Sequence, residues 1–217
     1  MMRFICLATA TLLLCGAASA QGTTSSKSTT ADEINSCQMK PNAGVARALL
    51  AADNMVESER LAAKFKWKTC ALKGPYANFM KIVPNDPRLD ELRWMSAEYF
   101  IAQNPAAVAA LQPLPRQRAY DRPWFKATLR NNAIDEMAAC VADTNPAGIL
   151  ALNKTQVGTV GEGSAFSALR PDFVSCLRAD VQLQGERKAI RGALVEALYQ
   201  RTQPWSVGDA EKAGAVR

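Results

Sequence analysis

The residue types that could do chemistry in this chain are limited by one absence. The 217 residues include no histidine. Nucleophile systems built on Ser-His-Asp or Cys-His are therefore excluded, as are zinc sites with histidine ligands. No Cys-x-x-Cys pair occurs either, which removes the redox motif based on that spacing. An enzyme would depend on carboxylates, lysine, tyrosine, a Ser-Lys pair or a metal held by other ligands. We predict neither a cofactor nor a metal site.

Two acidic clusters are the candidates for catalysis. One comprises Asp86, Asp90 and Glu91, and the other comprises Asp135 and Glu136. Two carboxylates at a suitable separation can hydrolyse a glycosidic bond or hold a cation. Acidic residues are also favoured in the first turn of a helix, because they complement the helix dipole. A structural role is therefore the alternative for both clusters.

The segment around residue 120 is the best candidate for a binding surface. Aromatic side chains beside arginines are typical of protein interfaces and of sites that bind sugars or anions. The predicted binding residues are Arg118, Tyr120, Arg122 and Trp124. The alternative is that Trp124 packs between the two helical units described below.

The amino terminus has the pattern of a cleavable secretory signal. A short positive start, Met1-Met2-Arg3, precedes an apolar run over residues 4–14, and Ala18-Ser19-Ala20 fits the cleavage rule. We predict a signal peptide over residues 1–20, cleaved after Ala20, then a flexible polar leader over 21–30. The apolar run is about half of the ~20 residues that span a bilayer. A lipid on Cys15 is disfavoured, because Leu14 stands where a small residue is needed. We expect no transmembrane span in the mature chain.

The charge of the chain indicates the kind of partner it would meet. The net charge is +6, and the residues from Arg116 to Arg130 are strongly basic. Since an exported protein does not meet nucleic acid, we expect an anionic cell-wall surface or an envelope protein as the partner. The alternative is that these charges are simply solvated.

The two halves of the chain resemble each other. Residues 32–37 (DEINSC) match residues 135–140 (DEMAAC), and both then run into a Pro/Asn pair and an Ala-Gly step. Later matches, in the same order, are Ser58 with Ser164, Arg93 with Arg191 and Glu98 with Glu196. The shared order indicates a degenerate tandem duplication. The predicted units span residues 31–104 and 132–204, with a Pro/Arg-rich linker over 105–131 and a flexible tail over 205–217.

Four cysteines remain after the signal peptide is removed, and they indicate an oxidising compartment. Four cysteines allow three pairings. Because each unit holds one pair, the simplest pattern is Cys37 with Cys70 and Cys140 with Cys176.

Apolar spacing predicts helices almost everywhere. The positions i, i+3, i+4 and i+7 recur along the chain, and no strand-turn-strand signal appears. We expect an all-α protein of two tandem four-helix units, each with one disulfide. Ser58 and Asn132 are the expected N-caps of two helices. Pro171 should break the predicted helix over residues 162–178. The predicted helices cover residues 31–39, 43–53, 58–72, 87–103, 132–143, 146–153, 162–178 and 186–201.

The repeat resembles one found in small exported proteins of Gram-negative bacteria that have no known activity, and the resemblance covers most of the mature chain. The segments that carry the resemblance are Cys140, Asn145-Pro146-Ala147, Ser164, Cys176-Leu177 and residues 190–199. The first unit departs from the pattern at Cys70-Ala71 and in its longer loop over residues 73–88. The resemblance implies a periplasmic location and brings no catalytic residue.

Two functional hypotheses follow from these patterns. The first is a non-enzymatic helical scaffold or interaction protein of the bacterial envelope, which the absence of a convergent catalytic set favours. The second is a carboxylate-dependent hydrolase that acts on an envelope polymer, and it rests on the acidic clusters and the compartment. The sequence specifies neither the partner nor the oligomeric state.

Overall fold

All regular secondary structure in the described part of the protein is helical. The structure is a computed structural model, and it describes residues 35–67, 89–178, 181 and 185–203. These residues form no strand, which confirms the all-α prediction. The α-helices are α1 (Ala43–Ala51), α2 (Met55–Ala62), α3 (Leu89–Gln103), α4 (Pro105–Ala109), α5 (Asn132–Thr144), α6 (Pro146–Asn153), α7 (Val160–Cys176) and α8 (Arg187–Gln200). Residues 35–39 are also helical, and 3-10 helices span Lys40–Asn42 and Pro123–Ala127.

Several predicted segments lie outside the described residues. They include the signal peptide with Cys15, the leader, Cys70, the loop with Asp86, and the tail over 205–217. The predicted pairing of Cys37 with Cys70 falls in the same category. Cys37 is disulfide-bonded, and its partner is not among the described residues.

Two predicted helix caps are wrong. Helix α2 begins at Met55 and is capped by Asn54, whose side chain accepts a hydrogen bond from the Glu57 amide at 2.9 Å. Ser58 lies inside this helix and is fully buried, because its hydroxyl has a tertiary partner described below. The cap of α5 is Asn131, one residue before the predicted position.

Pro171 does not break α7, contrary to expectation. The helix runs from Val160 to Cys176 with Pro171 inside it. A proline removes the hydrogen bond to the carbonyl four residues earlier, which belongs to Ser167. Ser167 and Pro171 are both exposed, so water can satisfy the freed carbonyl and the helix continues.

Helix α8 lies at the centre of the protein. Every residue from Ile190 to Gln200 is buried, so this helix is enclosed on all sides rather than on one face. Its most extensive neighbours are α3 and α5. The approach to α3 is close at Gly192, where a Cβ atom would lie 3.3 Å from the Cβ of Trp94.

The remaining helices are arranged around this centre in two groups. Helices α1 and α2 pack on each other and on α3, and α6 and α7 pack with α5. The buried apolar side chains of both groups form one continuous core. The segment between the groups takes part in that core through Trp124 and Phe125, which are 4 % and 6 % exposed. Among the described residues, no helix combines the length and apolarity needed to cross a membrane.

One predicted disulfide is confirmed. Cys140 in α5 is bonded to Cys176 at the end of α7, with their Cα atoms 5.7 Å apart. Helix α7 buries few of its side chains, namely Glu162, Leu169 and Cys176. The disulfide therefore attaches α7 to α5 more firmly than the few buried side chains of α7 could do alone.

Replacing Cys140 and Cys176 together by alanine should lower the free energy of unfolding. The bonded residues are 36 positions apart, and closing a loop of that length stabilises by about 3–4 kcal/mol in the chain-entropy model. Urea denaturation of the two proteins measures the difference. A reductant should then destabilise the wild type more than the double variant. Equal unfolding midpoints without reductant would contradict this role.

Candidate functional site

The residues predicted to form a binding surface differ in their exposure to solvent. Tyr120 and Trp124 are 8 % and 4 % exposed and lie in the core, while Arg118 is exposed. The guanidinium of Arg122 lies 5.5 Å from the centre of the Tyr120 ring. Burial raises the pKa of the Tyr120 hydroxyl above its ordinary value. The structure thus brings Tyr120 and Arg122 together, whereas Arg118 differs from the buried Tyr120 and Trp124 in being exposed. Their role in binding stays a prediction.

Arg122 also joins an ion-pair group at the end of α5. Its Nη2 lies 3.5 Å from Asp143 Oδ2, and Arg201 Nη1 donates to Asp143 Oδ1 at 2.8 Å. Burial raises the pKa of Asp143, and the two arginines oppose that rise. Arg201 also donates to the Gln112 carbonyl at 3.1 Å. The group therefore fixes the linker to the end of α8.

A larger group of charges lies in the middle of the protein, and we call it the central ion-pair cluster. It consists of Arg93 in α3, Arg130 before α5, Asp135 in α5 and Glu196 in α8. Their side chains are at most 2 % exposed. Arg93 Nε donates to Glu196 Oε1 at 2.9 Å, and Arg130 Nη2 donates to Glu196 Oε2 at 2.7 Å. Arg130 Nε and the Thr128 hydroxyl each donate to Asp135 at 2.7 Å.

The electrostatics of this cluster favour the charged forms of Glu196 and Arg130. Burial alone would raise the pKa of Glu196, but Arg93 and Arg130 outweigh it and hold the pKa below its ordinary value. Burial likewise disfavours charged Arg130, yet Glu196, Asp135 and Asp90 raise its pKa. Asp135 differs, because burial raises its pKa despite the contact with Arg130. Two cations and two carboxylates neutralise each other, which is the condition for keeping charges away from water.

Arg93 extends the central ion-pair cluster into the first helices. Its Nη1 donates to the Leu49 carbonyl in α1 and to the Ser58 hydroxyl in α2, the latter at 3.3 Å. This tertiary contact explains why Ser58 is buried inside α2 instead of capping it. One guanidinium therefore joins α1, α2, α3 and α8.

Arg191 of α8 connects α6, α7 and α3 in a similar way. Its Nη1 donates to the Leu152 carbonyl, the Thr155 hydroxyl and Glu162 Oε1, each at 3.1 Å. Its Nη2 lies 3.6 Å from Glu98 Oε1 in α3. Arg93 of α3 thus pairs with α8, and Arg191 of α8 pairs with α3. The charges that match between the two halves of the sequence therefore form inter-helix pairs.

The acidic clusters are largely engaged by basic groups and backbone amides. Asp90 Oδ1 accepts from the Leu129 amide at 3.0 Å, and Glu91 pairs with Lys188 at 2.6 Å. Asp135 belongs to the central ion-pair cluster, and Glu136 accepts a hydrogen bond from the Asn132 side chain at 3.4 Å. In the part of the chain that the structure describes, no three His, Cys, Asp or Glu side chains are grouped to hold a metal ion.

A cavity of about 170 Å³ lies between α3 and α8. Its described lining consists of Asp90, Glu91, Trp94, Arg130, Glu186, Lys188, Ala189 and Gly192. Two buried nitrogen atoms of the lining residues, Trp94 Nε1 and Arg130 Nη1, have no hydrogen-bond partner among the described residues. The sequence drew attention to Asp90 and Glu91 but not to Trp94, since the cavity depends on how the two helices pack.

Comparison of the chain with models of known families, with curated proteins and with solved structures finds no match.

Replacing Glu196 by glutamine should destabilise the protein at neutral pH. The variant leaves Arg93 and Arg130 without their shared carboxylate, and breaking a buried pair costs about 3–5 kcal/mol. Because the folded protein lowers the pKa of Glu196 from its ordinary value of 4.5, its contribution is present above that pH and is lost as the pH falls further. The difference between the two proteins should therefore shrink below pH 4.5.

Urea denaturation of both proteins across this pH range measures the effect. Glu57→Gln is the matched control, since Glu57 pairs with Arg60 on the exposed surface and its loss should change little. A Glu196 variant as stable as the wild type at pH 7 would contradict a stabilising role for the cluster.

Proposed function

We propose that this chain is an exported, non-enzymatic helical scaffold of the bacterial envelope that binds an acidic partner. The proposal is based on a difference between the buried and the exposed basic residues. Each buried arginine forms an ion pair with a buried carboxylate. The pairs are Arg93 with Glu196, Arg130 with Asp135 and Arg191 with Glu162. The exposed charges of the linker are mostly basic.

The basic surface of the linker comprises Arg116, Arg118 and Lys126, which are all exposed. Asp121 is the exposed acidic residue between them. Arg122 and Arg130 belong to the same segment, but they face Asp143 and Asp135. The partner of such a surface carries acidic groups, as a cell-wall polymer or an acidic envelope protein does.

The scaffold is proposed ahead of a carboxylate-dependent hydrolase because of the carboxylates themselves. General acid–base hydrolysis needs two carboxylates that are free to reach a substrate. Glu91 forms an ion pair with Lys188, and Asp135 forms one with Arg130. Asp90 accepts a hydrogen bond from the Leu129 backbone amide. These contacts support a structural role for them.

The proposal includes two tandem four-helix units related by duplication, each with one disulfide. The reciprocal pairs support it, because Arg93 meets Glu196 and Arg191 meets Glu98. Such an exchange is expected when two equivalent units meet across a two-fold axis. The signal peptide, its cleavage after Ala20 and the periplasmic location belong to the same proposal. The disulfide between Cys140 and Cys176 supports an oxidising compartment.

Reversing the charges of Arg116, Arg118 and Lys126 to glutamate should abolish binding to the envelope. The wild type should sediment with isolated cell walls or capture a protein from a solubilised envelope fraction. Binding should weaken as salt rises, because exposed charges are screened.

The control variant reverses Lys154, Arg170 and Arg178, which are exposed elsewhere, and it should bind as the wild type does. Equal loss of binding in both variants would show a dependence on net charge alone. Absence of wild-type binding to either material would remove the proposal.

A further inference from the structure

The linker contains an exposed extended stretch, residues 112–116, which we call the proline segment. The structure has no helix, strand or turn over residues 111–117, and each of residues 112–116 is exposed. Pro113 and Pro115 hold their φ angles at about −65°, and a proline keeps the residue before it out of the helical region. Proline-rich segments favour the extended polyproline II conformation, which needs no internal hydrogen bonds. The prolines therefore keep this segment extended.

Two hydrogen bonds hold the backbone of the proline segment on the protein. The Leu114 amide donates to the Asp143 carbonyl at 2.7 Å, and Arg201 Nη2 donates to the Gln112 carbonyl at 3.1 Å. The side chain of Leu114 stays accessible, since this residue is 40 % exposed. A segment that is fixed before binding loses less conformational freedom when it binds. The proline segment is therefore preorganised for a partner.

The side chains of this region combine an apolar stretch with positive charge at one end. Pro113, Leu114 and Pro115 are apolar and exposed, and residues 105–115 include no charged residue. Arg116 and Arg118 follow, and both are exposed. Extended proline-rich segments dock into grooves lined by aromatic side chains, and acidic residues at one end of such a groove would match the arginines. A cell-wall polymer matches the arginines but offers no such groove to the apolar side chains.

We propose that residues 112–118 are a recognition segment for an envelope protein that has an aromatic-lined groove with acidic residues at one end. This partner class rests on the proposed function, in which the linker binds an acidic partner, and it selects a protein over a cell-wall polymer. The five residues of the proline segment span about 15 Å in the polyproline II conformation, so the groove has a comparable length. Leu114 lies at the middle of the segment and is its apolar anchor.

Competition for the partner tests the contribution of the apolar side chains. The immobilised full chain captures its partner from a detergent-solubilised envelope fraction, and soluble variants compete for it. Leu114→Ser keeps every charge and should need a concentration at least about tenfold higher than that of the wild type, because it removes one leucine from the interface. Pro113→Ala combined with Pro115→Ala frees the backbone and should also compete less well. Val174→Ser, the matched change at an exposed residue of α7, should compete as the wild type does.

A photo-crosslink shows what lies against the proline segment. A benzophenone amino acid in place of Gln112, which is exposed, should form an adduct with the captured protein. The crosslinked peptide of the partner should lie beside aromatic and acidic residues. The same group in place of Val174 should form no adduct. Absence of an adduct from position 112, or equal adducts from both positions, would contradict the proposed contact.

Two further results would overturn the recognition segment and leave the scaffold proposal standing. Competition by Leu114→Ser and by the proline variant at the wild-type concentration would show that the arginines alone are recognised. Binding of the wild type only to cell walls stripped of protein would identify a polymer as the partner. In both cases the reversal of Arg116, Arg118 and Lys126 would still abolish binding. Wild-type binding to neither material would remove both proposals together.

Discussion

The shared carboxylate of Glu196 is the interaction on which the rest of the structure depends. Helix α8 is buried on all sides from Ile190 to Gln200, so any charge on it needs a partner inside the protein. Glu196 receives Arg93 from α3 and Arg130 from the segment before α5. Because a buried charge is tolerated only when it is paired, these contacts restrict the position of both neighbouring helices relative to α8.

Two arginines connect the central helices α3 and α8 to the helices around them. Arg93 reaches the Leu49 carbonyl and the Ser58 hydroxyl, and so it positions α1 and α2. Arg191 reaches Leu152 and Glu162, and so it positions α6 and the start of α7. Each arginine also meets a glutamate of the opposite central helix. Arg130 of the central ion-pair cluster also lines the cavity beside Trp94.

Local periodicity predicted most of the helices, because their apolar positions follow a regular spacing and their ends carry recognisable residues. It did not predict that α8 is enclosed on every side, since Arg191 and Glu196 look like surface residues until their partners are known. Ser58 was mistaken for a cap for the same reason, because its hydroxyl is used by Arg93, which lies 35 residues away in sequence. The prediction that Cys140 pairs with Cys176 was based on the predicted repeat, and the structure confirms this pair. The cavity could not follow from any local pattern, because it depends on Trp94 packing against Gly192 across two helices that are distant in sequence.

Native-state hydrogen exchange along α3 and α8 tests most directly whether the two halves form one cooperative structure around Glu196. The buried amides of both helices should exchange with the same free energy of opening, equal to that of global unfolding, because neither helix can leave without a charge that stays buried losing its partner. Exchange of α1, α2 and α3 at a clearly lower free energy than that of α5 and α8 would contradict the account. The two halves would then open independently, and the central ion-pair cluster would not be what joins them.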